Sequence, residues 1–173
     1  MARGFELDRR GFLVAATAAL LVPKRLFAAE PAPAELLEKS EFAYISPLRK
    51  DGAESTCHGE VWFGWLDGTV VINTRRGTWK VKALEKGLDR ARIWVGNHGR
   101  WKTSVVTGAL NEEFRKAPTF AARARFENDR KVNQRLLELY EKKYGSQFDA
   151  WHEDMQSGFF SGQRKLIRYQ PET

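Results

Sequence analysis

A short segment in the middle of the chain combines residue types that bind phosphate groups. Residues 74–80, Thr-Arg-Arg-Gly-Thr-Trp-Lys, place two arginines, two threonines and a lysine within seven positions. Guanidinium groups form paired hydrogen bonds with phosphate oxygens, and hydroxyls, an ammonium and the free N–H groups at a helix start add donors. The segment therefore predicts a phosphate site. It also fits a solvated basic turn, because runs of charge usually face water.

The rest of the chain lacks the spacing of a catalytic or metal site. There is no Gly-x-Ser-x-Gly elbow, no Gly-x-Gly-x-x-Gly loop and no Walker loop. One cysteine cannot close an intramolecular disulfide, and the three histidines are too scattered for a zinc cage. No catalytic residue and no metal ligand is assigned. If the protein is an enzyme, a bound cofactor supplies the chemistry.

The amino terminus has the layout of an export signal. Arg9 and Arg10 precede an apolar run at 12–22, and small residues follow at 28–34. The apolar run is shorter than the roughly 20 residues of a membrane-spanning helix. Residues 8–13, Asp-Arg-Arg-Gly-Phe-Leu, resemble the twin-arginine signal. We predict a signal peptide and linker at 1–34, cut after Ala28, Ala29 or Ala34, and export to the periplasm by the twin-arginine machinery.

The charge and composition predict a folded mature chain, residues 35–173, that forms one domain. The full chain is 42% hydrophobic and has 29 Lys and Arg against 22 Asp and Glu, a net charge of +7. Without residues 1–29 the excess falls to +4. This mild charge requires no nucleic-acid partner. No stable membrane insertion is expected after cleavage, because no second apolar run of that kind occurs downstream.

The elements around residues 74–80 are predicted to be short strands separated by turns. Asp-Gly pairs at 51–52 and 67–68 are typical of hairpins. The predicted strands are 42–49, 54–66, 69–74, 90–96, 101–108 and 164–169. Helices are predicted at 78–86, 121–144 and 148–156. The fold class is therefore mainly β with α: a six-stranded antiparallel barrel, with a short helix after strand 3 and a helical segment before the last strand.

This order of elements resembles the pyridoxamine 5′-phosphate oxidase-like, flavin mononucleotide (FMN)-binding split barrels. The similarity is carried by residues 44–52, 61–63 and 71–84, and it extends over about residues 40–171. It implies a homodimer with flavin sites at the interface, where Trp94 and Trp101 would pack. The cofactor-binding residues that it implies are Val61, Trp62 and Phe63 near the flavin ring and Thr74, Arg75, Arg76, Thr78 and Lys80 at its phosphate. Trp62 and Phe63 fit core or interface packing equally well.

The resemblance also implies a flavin-dependent oxidoreductase that acts on a small molecule, in a pocket shaped partly by residues 148–164. The sequence does not identify this small molecule. Pyridoxamine phosphate oxidase activity itself is not expected, because the chain ends at 169–173 without the arginine-containing signature for that substrate. A 5-deazaflavin coenzyme is a rival ligand for the same basic segment. Haem is a further rival, through Cys57, His58 or His98, and a non-catalytic protein that sequesters flavin or haem is the alternative function.

Overall fold

The computed structural model describes residues 34–102 and 108–172. The predicted signal peptide, apart from Ala34, lies outside the described residues. The strands are β1 (Ala43–Pro47), β2 (Glu60–Val61), β3 (Gly64–Leu66), β4 (Thr69–Arg75), β5 (Arg90–Val95), β6 (Thr119–Glu127) and β7 (Arg164–Pro171). The helices are α1 (Ala34–Lys39), α2 (Trp79–Glu85), α3 (Arg130–Tyr144) and α4 (Ser146–Ser161), with a 3₁₀ helix at Glu113–Lys116.

All the described strands belong to one antiparallel sheet, in the order β2-β1-β5-β6-β7-β4-β3. The two edge strands, β2 and β3, are consecutive in the chain and are separated only by Trp62 and Phe63. Because so short a link joins opposite edges, the sheet must curl until those edges meet. The result is a split barrel, and the predicted fold class is confirmed with seven strands in place of six.

The hairpin that leads into β4 follows directly from its turn residues. Asp67 and Gly68 both have positive φ, 52° and 71°, as a two-residue primed turn requires. After the turn, β4 is buried from Thr69 to Thr74 because it lies between β3 and β7. Its apolar residues Val70 and Ile72 face the barrel interior, while Val71 packs against the helices. The strand ends at Arg75, so its last two residues, Thr74 and Arg75, are the first two of the predicted phosphate segment.

The prediction of a helix from residue 121 was wrong, because residues 119–127 form β6. Ala and Arg favour helices, but β6 lies between β5 and β7 and pairs with β5 over residues 119–123 and with β7 over residues 122–127. Phe120 and Ala122 are buried, while Arg123 and Arg125 are more exposed. The helix begins only after Asp129, whose side chain accepts a hydrogen bond from the backbone N–H of Lys131.

Two further strand predictions differ from the structure. The predicted strand at 54–66 is broken into a bridge at Glu54, then β2, then β3, because the chain kinks at Trp62 and Phe63. The predicted strand at 101–108 lies mostly outside the described residues. Its first part contributes one bridge, from Lys102 to Leu110.

The helices pack against two apolar clusters: the barrel core, and a second core on the face of β4 and β7 that points away from it. Leu37 of α1 is 1% exposed and belongs to the barrel core. Leu136, Tyr140 and Phe148 of α3 and α4 form a second core against β4 and β7. Gly64 allows this packing, since a Cβ there would lie 2.6 Å from Leu136 Cδ1. No helix within the described ranges is long and apolar enough to cross a membrane.

Candidate functional site

A cavity of about 790 Å³ lies at the split of the barrel. This volume is within the range of about 300–1,000 Å³ that is typical of small-molecule sites. One wall comes from β2 and from segments that flank β1 and β5: Phe42, Glu60, Val61, Trp62, Gly99 and Arg100. The other wall comes from β4, α4 and β7: Asn73, Gln147, Trp151, Met155 and Arg164. The cavity is therefore built from the edge strand β2, from the inner strands β4 and β7 and from α4.

The three residues predicted near a flavin ring have different positions in the structure. Val61 and Trp62 line the cavity, and the Trp62 ring stacks on Tyr144 with ring centroids 4.4 Å apart. Phe63 is fully buried in the barrel core. The ammonium of Lys143 lies 3.8 Å from the centroid of the Phe63 ring. Phe63 therefore packs behind the cavity wall.

Hydrogen bonds from α3 fix the backbone of this kink. The Tyr144 hydroxyl accepts from the Phe63 N–H at 3.1 Å and donates to the Glu41 carbonyl at 2.8 Å. The Tyr140 hydroxyl donates to the Trp62 carbonyl at 2.8 Å. Burial raises the pKa of both tyrosines, so their hydroxyls keep their protons at neutral pH. The backbone of the cavity wall at Trp62 and Phe63 is thus held by two neutral tyrosine hydroxyls, one as a donor and one as an acceptor.

The first part of the predicted phosphate segment forms a compact turn at the end of β4. The hydroxyls of Thr74 and Thr78 are 3.3 Å apart, and the Thr78 N–H donates to the Arg75 carbonyl at 3.0 Å. Arg75 extends toward α4, where its Nη2 lies 3.5 Å from Asp154 Oδ2. Because side chains alternate along a strand, Arg75 leaves the same face of β4 as the cavity-lining Asn73, whereas the Thr74 hydroxyl lies on the other face with that of Thr78.

The other two basic residues of the segment point elsewhere. Arg76 is exposed, and its Nε lies 4.0 Å from Glu85 Oε1. Lys80 is 7% exposed and extends toward Gly59, where an added Cβ would lie 3.1 Å from its Nζ. Burial lowers the pKa of Lys80, and the charge of the nearby Glu60 opposes this shift. Within one chain, the structure does not bring Arg76 and Lys80 together with Arg75.

The buried cation of the cavity, Arg164, was not predicted from the sequence. It is 5% exposed, and its Nη2 donates to Asp154 Oδ2 at 2.7 Å. Its Nη1 donates to the Asn73 side-chain oxygen at 3.2 Å. A Cβ at Gly158 would lie 2.9 Å from Arg164 Cδ, so this position of α4 requires glycine. The sequence signal was weak, because Arg164 is simply the first residue of a predicted strand.

Arg75 and Arg164 converge on one oxygen atom. Both approach Asp154 Oδ2, and they are register partners on β4 and β7. These two guanidiniums hold the pKa of Asp154 below its usual value, and Arg164 has the larger effect. Two guanidiniums around a single anionic oxygen form an arrangement that also suits a phosphate oxygen.

The candidate haem ligands do not face this cavity. His58 packs among Trp94, Trp101 and Phe114, and its Nε2 lies 3.4 Å from Arg115 Nη2. Burial, followed by the charge of Arg115, lowers the pKa of His58. Neither His58 nor His98 lines the cavity. No group of three or more His, Cys, Asp and Glu residues suited to a metal ion occurs in the described part of the chain.

Solved structures share this fold at low sequence identity. A conserved hypothetical protein from Mycobacterium tuberculosis matches with a TM-score of 0.52 and 14% identity, over 85% of this chain and 84% of that one. A candidate 5-nitroimidazole antibiotic resistance protein from Bacteroides thetaiotaomicron matches with a TM-score of 0.51 and 9% identity, over 81% and 78%. A candidate pyridoxamine 5′-phosphate oxidase from Listeria innocua has a TM-score of 0.49 and 13% identity, over 81% and 90%.

These matches confirm the resemblance to the pyridoxamine 5′-phosphate oxidase-like split barrels at the level of the fold. No protein-family model matches the chain, and no curated protein matches it in sequence. Sequence identities of 9–14% support similarity of fold and not similarity of function. The function must therefore be argued from the residues of the cavity.

Proposed function

We propose that this protein is a flavin-binding split-barrel oxidoreductase, exported as a homodimer, with FMN as its cofactor. The observation that carries the proposal is the convergence of Arg75 and Arg164 on Asp154 Oδ2, next to the cavity that Arg164 lines. Each guanidinium has five N–H donors, so donors remain after Asp154 is bound. This donor set fits a dianionic phosphate monoester.

The opposite wall suits a flat ring. Val61 and Trp62 present an apolar strand edge, and the backbone of Trp62 is held by hydrogen bonds from α3. When bound, FMN supplies the redox chemistry, and the protein supplies placement and electrostatics. Val61 and Trp62 exclude water from one side of the ring, while Arg75 and Arg164 hold the phosphate. The side-chain nitrogen of Lys80 is buried close to Gly59, next to the segment that leads into Val61.

The phosphate assignment is tested with two matched arginine variants. We expect Arg75→Gln to lower FMN affinity by about tenfold or more, since a charge-assisted contact contributes roughly 1.5–3 kcal/mol. Arg76→Gln is the control, because Arg76 pairs with Glu85, away from the Asp154 oxygen on which Arg75 and Arg164 converge. The measurement is FMN affinity by fluorescence titration. Equal losses in the two variants would contradict the assignment, and affinity for a deazaflavin alone would favour the rival cofactor.

Export and dimerisation have separate tests. In cells, Arg9→Lys combined with Arg10→Lys should keep the protein in the cytoplasmic fraction, whereas the wild type reaches the periplasm. Sedimentation of the purified protein should give the mass of a dimer. A monomer that still binds FMN would refute the homodimer. Turnover of an electron donor and acceptor by the FMN-loaded protein separates an oxidoreductase from a protein that only sequesters flavin.

A further inference from the structure

Three solvent-exposed side chains that line the cavity, which together we call its outer part, have no hydrogen-bond or ion-pair partner in the described part of the chain. They are the guanidinium of Arg100, the side-chain amide of Gln147 and the ring of Trp151. Trp151 is 42% exposed, although it is a large hydrophobic residue. The other polar side chains of the lining, which we call the inner part, have partners: Asn73 binds Arg164 and Asn133, and Glu60 accepts from the backbone N–H of Trp101. The outer groups are therefore available to a ligand.

The charges in the two parts of the cavity also differ. Arg164 is neutralised by Asp154, with an Nη2 to Oδ2 distance of 2.7 Å. Arg100 lies on the opposite wall, on the loop after β5, and no acidic side chain of the described residues lies within 4 Å of it. Glu60 is the one acidic residue among the described cavity-lining residues, and its Oε2 already accepts a backbone hydrogen bond. The uncompensated charge at the cavity mouth is thus positive.

We propose that the outer cavity binds a planar aromatic substrate that carries an anionic group. The anion pairs with Arg100, the ring lies against Trp151, and Gln147 donates or accepts at a polar ring substituent. This proposal rests on the proposed function, in which FMN occupies the inner part between Val61 and Arg164. The exposed face of Trp151 suits the aromatic ring of such a ligand, and the unpaired guanidinium of Arg100 suits its anionic group.

The test compares 2-naphthoate with its neutral analogue 2-naphthamide. Binding is followed by the flavin absorption difference in the FMN-loaded protein and by calorimetry in the protein without flavin. We expect the wild type to bind naphthoate about tenfold more tightly than naphthamide. Arg100→Gln should remove that preference and leave FMN content unchanged. Arg49→Gln, at an exposed arginine outside the cavity, is the matched control and should change nothing.

Trp151→Leu gives an independent check, because it keeps apolar bulk and removes the ring. It should weaken both ligands by about fivefold, in line with an aromatic contact worth roughly 1 kcal/mol. Equal binding of the two ligands by the wild type, or equal effects of Arg100→Gln and Arg49→Gln, would overturn the proposal. Loss of FMN from Arg100→Gln would also overturn it, since Arg100 would then hold the cofactor. If the protein does not bind FMN but binds naphthoate in a way that depends on Arg100, the anion site is supported and the proposed function is rejected.

Discussion

The hydroxyl of Tyr144 links the helical segment to the cavity wall, and its removal has a calculable effect. In Tyr144→Phe the ring still stacks on Trp62, but the fully buried Phe63 N–H loses its acceptor at 3.1 Å. A buried backbone donor without a partner costs about 1–3 kcal/mol. The Glu41 carbonyl also loses a donor, at 2.8 Å. We therefore expect the free energy of unfolding to fall by about 2 kcal/mol.

Urea denaturation followed by circular dichroism measures this change, and a drop in Tm of about 4–8 °C should accompany it for a chain of this size. FMN affinity should also fall, because the backbone at Trp62 loosens. Tyr144→Leu is the companion variant: it removes the ring stacking as well and should destabilise the protein further. If Tyr144→Phe is as stable as the wild type, the hydroxyl does not hold the kink and this explanation of the cavity wall is refuted.

Three further predictions concern stability. Burial lowers the pKa of Lys143 to about 8 from 10.5, so the unfolded chain binds more protons than the folded chain between these pH values. The free energy of unfolding of the wild type should therefore rise by roughly 1 kcal/mol from pH 7.5 to 9.5, relative to that of Lys143→Met in paired urea titrations. Parallel plots of this free energy against pH for the two proteins would contradict the pKa shift. Gly158→Ala should cost about 1–2 kcal/mol, because the new Cβ meets the fixed stem of Arg164, and a stabilised variant in thermal melts would show that the stem moves freely. Leu37→Ala should cost about 2–3 kcal/mol in urea denaturation if α1 belongs to the core, whereas an unchanged midpoint would show that α1 is dispensable.

The sequence predicts those parts of the fold that are determined by the backbone preferences of residues close together in the chain. The Asp67–Gly68 turn, the strand after it and the stop at Gly145 all follow from backbone preferences, and the structure confirms them. Strand β6 could not be predicted in this way. Its alanines and arginines favour a helix locally, and only pairing with β5 and β7, which are distant in sequence, makes it a strand.

Contacts between residues that are distant in sequence also form the cavity, and these could not be predicted either. Residues 74–80 stood out because their charges and hydroxyls are adjacent in sequence, yet the fold sends Arg76 outward and Lys80 inward. Arg164 and Asp154 are distant in sequence from Arg75 and join it only through the β4–β7 register and the packing of α4. A single sequence contains no local signal for such a contact. The roles proposed for these residues therefore need the variants described above.

An absorption spectrum of the purified protein, prepared without added cofactor, tests the central claim most directly, provided that the ligand released by heat is identified by mass. We predict flavin absorption bands and the release of FMN. A Soret band or a released deazaflavin would contradict FMN as the cofactor. A colourless protein that also fails to bind added FMN would contradict the flavoprotein proposal as a whole.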